Sequence, residues 1–349
     1  MAARLPADLL SRSAEEAARL LALAYLDEIN RAKRRLSDPL DTEALHDFRV
    51  GLRRLRSCIR AYRGHLKDSV SKKIRRRLRD LTAATNAGRD TEVQLGWLHQ
   101  QAGRLGPGEL EGLAWLIGRL EGRKFETLDP VTADVASRFS KASSKLRPRL
   151  RTFRAEVRAG PGRDRRSFGP VTGELIRSHA GALGETLRGL TGQQNAAQAH
   201  ATRIAAKRLR YLLEPLLRRT PGAKRLIGRL KELQDVLGDL HDMQVLSQEI
   251  DSSLALLSQG KPERTRAAIA GLNALHRMVD EKARAGLADF HTKWGDDQAD
   301  RFFRQIGELV TGLMRTDGDA VEARHGPRQA YPEEVAGVPV ALEIGGPSR

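Results

Sequence analysis

Cysteine is almost missing from this chain: Cys58 is the single one among 349 residues, which excludes an internal disulfide framework and any zinc site built from several cysteines. A lone cysteine is expected to act as a small buried apolar residue. Aromatic residues make up only 4%, too few to provide the stacked platforms that hold single-stranded nucleic acid. No run approaches the roughly 18 apolar residues that cross a bilayer. The first ten residues, which include Pro6 and Asp8, lack the apolar core of a secretory signal. A reduced, cytoplasmic setting without membrane contact is therefore expected. Catalytic signatures are missing too. There is no GxxxxGK[ST] phosphate loop and no Ser/His/Asp arrangement that spacing alone identifies, so no catalysis, cofactor or metal is expected.

Acidic residues are in deficit. Lys and Arg number 61 against 44 Asp and Glu, for a net charge of +17 and a pI near 10.6. From Asp317 onward six acidic residues stand against three basic ones, so the first 316 residues carry about +20. Such an excess calls for a polyanionic partner.

Strand-like alternation is scarce, whereas nearly every long segment repeats its apolar residues at helical spacing. The pattern predicts an all-α protein with helices near 13–36, 42–66, 69–102, 109–125, 130–157, 168–190, 194–218, 222–256, 262–293 and 297–315. Breaks fall at Pro39, Gly106-Pro107-Gly108, Gly160-Pro161-Gly162 and Pro221-Gly222. The Gly160 break divides the chain into a first helical half, 1–160, and a second, 161–316. Residues 317–349 mix Gly, Pro and small residues without helical period, as a disordered or loosely docked tail does.

What the chain does have is a repeated basic motif. His46, Arg49, Val50, Arg53, Arg54, Leu55 and Arg56 recur 154 residues later as His200, Arg203, Ile204, Lys207, Arg208, Leu209 and Arg210. Further on, Leu78-Arg79-Asp80-Leu81 with Arg89-Asp90 matches Leu230-Lys231-Glu232-Leu233 with His241-Asp242 at an offset of 152. The repeating unit is thus at least a helical hairpin. At 100° per residue, His46, Arg49, Arg53, Arg56 and Arg60 share one narrow sector, and Phe48, Leu52, Leu55 and Ile59 lie further round. His200, Arg203, Lys207 and Arg210 form the same ridge in the second copy. Like charges at i, i+3 and i+4 repel by a few tenths of a kcal/mol per pair, so anions from outside the helix are expected to offset them. Arg54 and Arg208 project toward the side, where interhelical salt bridges are the alternative use. The two histidines fit an anion better than a metal, because H-x-x-R supplies one ligand beside a repelling cation.

These residues resemble the CHAD family of histidine-containing helical domains. The resemblance rests on EALHDFRVGLRRLR at 43–56, HATRIAAKRLRYLLEPL at 200–216 and LKELQDVLGDLHDMQVL at 230–246, and the matching segments span most of 15–315. It implies two pseudo-symmetric antiparallel helical bundles with a basic central groove or pore. It also implies binding of inorganic polyphosphate at cytoplasmic polyphosphate granules. The residues implied as binding are His46, Arg49, Arg53, Arg56, His200, Arg203, Lys207 and Arg210, with Arg60 on the same ridge. Arg79, Lys231, Arg89 and His241 form a second tier. The ExExK motif of the triphosphate-tunnel domain often joined to this family is missing here. Two alternatives stay open: nucleic-acid backbone binding, and a scaffold for acidic proteins.

Overall fold

The computed structural model describes residues 5–38, 40–41, 43–86, 89–128, 131–152, 166–190, 196–260 and 262–322; among these, the side chains of 86, 89, 124–128, 131–133, 196, 262–264 and 316–322 lie outside the description. The described residues form α-helices joined by turns and short 3-10 segments, with no strand beyond one isolated bridge. In chain order the helices are α1 (Ala14–Arg35), α2 (Glu43–Ala61), α3 (Lys72–Asn86), α4 (Arg89–Gln101), α5 (Leu110–Leu128), α6 (Val131–Arg151), α7 (Phe168–Arg188), α8 (Ala196–Leu213), α9 (Ala223–Leu257), α10 (Pro262–Trp294) and α11 (Asp296–Glu322). The all-α expectation holds. The expected breaks at Pro39 and Gly160 and the expected tail beyond 322 lie outside the described residues, while 317–322 continue α11.

Helix α1 shows how local sequence sets these boundaries. Ser13 caps it by accepting the Glu16 amide at 3.3 Å, Glu15 and Glu16 sit in the first turn, and Lys33, Arg34 and Arg35 fill the last. That order of charge complements the helix dipole. Its apolar stripe packs on α2, where Gly51 leaves room for Ile29 to approach the backbone.

Neighbours recur in the same succession along the two halves. In the first, α1 packs on α2, α2 on α3, α3 on α6 and α6 on α1. In the second, α7 packs on α8, α8 on α9, and α11 on both α9 and α7. A large core cluster draws on both sets, joined by Tyr62 stacked on Phe168 at 5.0 Å and hydrogen-bonded to Thr172 at 2.9 Å. Cys58 lies in this core at 5% exposure, as expected, and burial pushes its thiol pKa up. A second cluster gathers α4, α5, α10 and the far part of α9.

Contacts between the halves link helices of matching position: α1 with α7, α2 with α8, α4 with α9, and α5 with α10. At the helix starts, the Ala14 amide donates to the Arg166 carbonyl at 3.1 Å and the Phe168 amide to the Arg12 carbonyl at 2.8 Å. These partners are reciprocal under the 154-residue offset. The α5–α10 crossing is close enough that a Cβ on Gly271 would stand 2.1 Å from the Glu109 carbonyl oxygen, and one on Gly112 2.5 Å from that of Ala268.

Residues 69–102 read as a single periodic segment; α3 is described to Asn86 and α4 from Arg89, and 87–88 between them lie outside the described residues. The matching stretch of the second half lies in α9, continuous over 35 residues. Thr82 and Thr85 donate back to the carbonyls of Leu78 and Thr82.

Candidate functional site

Both basic motifs lie on helices, α2 and α8, which pack against one another. Their apolar sectors face the core, with Phe48, Leu52, Leu55, Leu209, Leu212 and Leu213 all buried. His46, Arg60 and His200 are exposed, and Arg53, Arg56, Arg203, Lys207 and Arg210 are half-buried.

Arg49 is the inward member at 6% exposure. Its Nε donates to the carbonyl of Thr85 near the end of α3, and Nη1 lies 3.4 Å from Glu92 of α4. Arg53 in turn donates to the Arg49 carbonyl at 3.3 Å. Its counterpart Arg203 has neither acceptor: α9 runs on through the matching point, and Gln244 stands where Glu92 would be at the 152 offset. The Arg203 Nε is buried without a hydrogen-bond partner, and its guanidinium lies against Gly238, where a Cβ would come within 3.4 Å.

His200 and His241 approach with ring centroids 5.9 Å apart, joining α8 to α9 beside Arg203. Asp242 completes this corner. Burial raises its pKa above the usual carboxylate value; Arg203 and His241 pull it down, while Asp239 and Asp90 push it up. Asp90 and Asp242 are repeat counterparts at the 152 offset, from helices α4 and α9 that touch. Three carboxylates, Glu92, Asp90 and Asp242, therefore sit beside the ridges, and inspection of the basic helices alone misses them. The alignment of the Arg89-Asp90 and His241-Asp242 pairs is the signal that could have found two of them.

Further along α2, Arg56 meets Arg60 and Arg79. Burial lowers its pKa first, and those two cations lower it further. Arg79 is exposed, with Asp80 at 3.4 Å, and Lys231 is exposed on α9. The side chain of Arg89 lies outside the described residues. Arg54 does make interhelical salt bridges, to Glu214 at 2.7 Å and Glu28 at 3.5 Å, so its charge is spent on packing. Arg210 lies 3.7 Å from the same Glu214 and 5.1 Å over the Tyr211 ring. Arg208 has instead Arg60 as its charged neighbour; burial and then Arg60 lower its pKa.

Other polar clusters stand apart. Lys33, Arg147 and Arg151 share a hydroxyl-lined cleft of about 570 Å³ between α1 and α6 with Ser140, Ser143 and Ser144. On α9 and α10, Ser247 and Asp251 both contact His276 Nε2, at 3.3 and 3.2 Å, and Asp280 lies 3.3 Å from Nδ1. Serine and carboxylate there compete for one nitrogen, which differs from a triad, where the serine and the carboxylate take opposite nitrogens of the imidazole. Among the described residues no group of His, Cys, Asp and Glu could hold a metal ion, and no helix is long and apolar enough to cross a membrane.

The CHAD domain model matches residues 20–251, well over half of the chain, and the chain belongs to this family. Its fold is similar to the crystal structure of the CHAD domain from the plant Ricinus communis, with a TM-score of 0.56 at 20% identity, covering 88% of this chain and 96% of that one. No curated protein matched the sequence significantly.

Proposed function

We propose that this protein binds inorganic polyphosphate, without catalysis, through the basic faces of α2 and α8, and that it localises to polyphosphate granules in the cytoplasm. The observation that carries this reading is the juxtaposition of the two repeats: the helices bearing the repeated cations, α2 and α8, pack against each other across the halves. Reciprocal hydrogen bonds between Ala14 and Arg166 and between Phe168 and Arg12 support a pseudo-twofold relation between the halves. Under that relation the ridges border a shared basic groove. A linear phosphate polymer needs repeated charge neutralisation and no base readout, which arginine forks and lysines supply in a chain that is 4% aromatic. The acidic residues beside the ridges are consistent with discrete binding positions along a groove.

A competition titration tests the reading. Long-chain polyphosphate should remain bound against duplex DNA or RNA at equal phosphate concentration; displacement by either would sink it. Charge reversal at Arg53 and Lys207 should abolish binding with helical content intact, and retained affinity would move the site elsewhere. Arg49 is left out of that variant because it holds α3.

A further inference from the structure

The two ends of the α2–α8 junction are chemically unlike. Counted forward by 154, Tyr25 corresponds to His179, Arg54 to Arg208, Arg56 to Arg210 and Arg60 to Glu214. At one end, Arg54 and Arg210 converge on Glu214, with Glu28 completing a neutralised network. At the other end an arginine occupies the position of the shared carboxylate. Arg60, Arg208 and His179 line one narrow cleft with Ser57 and Tyr211. Among the described residues neither Arg60 nor Arg208 has a salt bridge, whereas Arg54 has two.

We infer that this end of the junction is a discrete site for one phosphoryl group, held by Arg60, Arg208 and His179. Two guanidinium forks match the several oxygens of a tetrahedral dianion, and the imidazole adds a third donor. The cleft encloses about 10 Å³ of free space, room for one water-sized oxygen, so the bulk of the ligand stays at its mouth. That geometry admits a phosphate oxygen and turns away a ring or an alkyl body. The electrostatics agree: burial and then Arg208 and Arg60 lower the His179 pKa, a tension that a bound anion relieves. Arg60 also adjoins Arg56, and hence the first ridge. The phosphoryl group is either free orthophosphate or one unit of a chain leaving that ridge; the second source rests on the polyphosphate reading, and the first does not.

Equilibrium titration of the full chain with orthophosphate, and separately with long-chain polyphosphate, tests the site. Arg208→Gln is compared with Arg301→Gln, an equal charge change on an exposed position of α11. The expected result is at least a tenfold loss for Arg208→Gln beyond the control, with orthophosphate if the free ion is the ligand and with the polymer alone if a chain unit is. Glu214→Gln, which alters the opposite end alone, should leave orthophosphate affinity unchanged, with circular dichroism checking that the fold persists. Equal affinities in Arg208→Gln and Arg301→Gln for both ligands overturn the site. Orthophosphate binding that survives without any polyphosphate binding would keep this site and remove the polymer reading; binding of neither removes both.

Discussion

Arg49 ties α2 to α3 and α4. Its buried guanidinium donates to the Thr85 carbonyl while pairing with Glu92. Replacing Arg49 with alanine leaves a buried acceptor unmade, which costs about 1–3 kcal/mol. Urea denaturation should show a lower midpoint with an unchanged m-value. Arg203 has no such acceptor, so Arg203→Ala should cost less than Arg49→Ala in the same assay.

Asp242 gives the matching pH prediction. Its pKa is raised in the folded protein, so the folded state holds that proton more tightly than the unfolded chain does. The favourable contribution is complete below the ordinary value of 3.8 and is lost as pH rises through the raised folded value. Asp242→Asn should therefore flatten the fall in stability across that window. Followed by thermal unfolding from pH 3.5 upward, an unchanged profile would show that the burial and the neighbouring Asp239 and Asp90 leave no imprint.

At the scale of the element, the α5–α10 crossing depends on two glycines that bring backbones into contact. Gly271→Ala would place a methyl 2.1 Å from the Glu109 carbonyl oxygen, and since backbone rather than a flexible side chain stands there, overpacking should cost about 1–3 kcal/mol. Calorimetry would register it as a lower Tm. Helix periods were largely legible in the sequence, because apolar residues at 3.6 spacing carry them. The bridge that Arg49 makes from α2 to Thr85 and Glu92 was not, since it depends on how α2 lies against α3 and α4. The ridges were equally legible from a helical projection. Glu92, Asp90 and Asp242 were not, because they come from α4 and α9, and the register of one helix against another is set by packing.

On the scale of the whole molecule, the core cluster draws on both halves, and Tyr62, just past α2, is buried against Phe168 and Thr172 on α7. Expressed alone, residues 1–160 would expose that surface. The two halves expressed as separate chains should co-purify, whereas the first by itself should lack a cooperative unfolding transition. Under the proposed function, the logarithm of polyphosphate affinity should fall linearly with the logarithm of salt concentration. Arg53→Gln should reduce that slope by about one, as loss of one phosphate contact does. An unaltered slope would remove Arg53 from the binding surface.

The reciprocal bonds between Arg12, Ala14, Arg166 and Phe168 also have a temporal meaning. As the chain is synthesised, α1 and α2 emerge well before their partners: Glu214 arrives about 160 residues after Arg54, and Phe168 about 106 after Tyr62. Throughout that interval Arg54 has Glu28 but not Glu214, and the aromatic face of Tyr62 is uncovered. Native contacts of such sequence separation slow folding, so that face stays open until α7 has emerged.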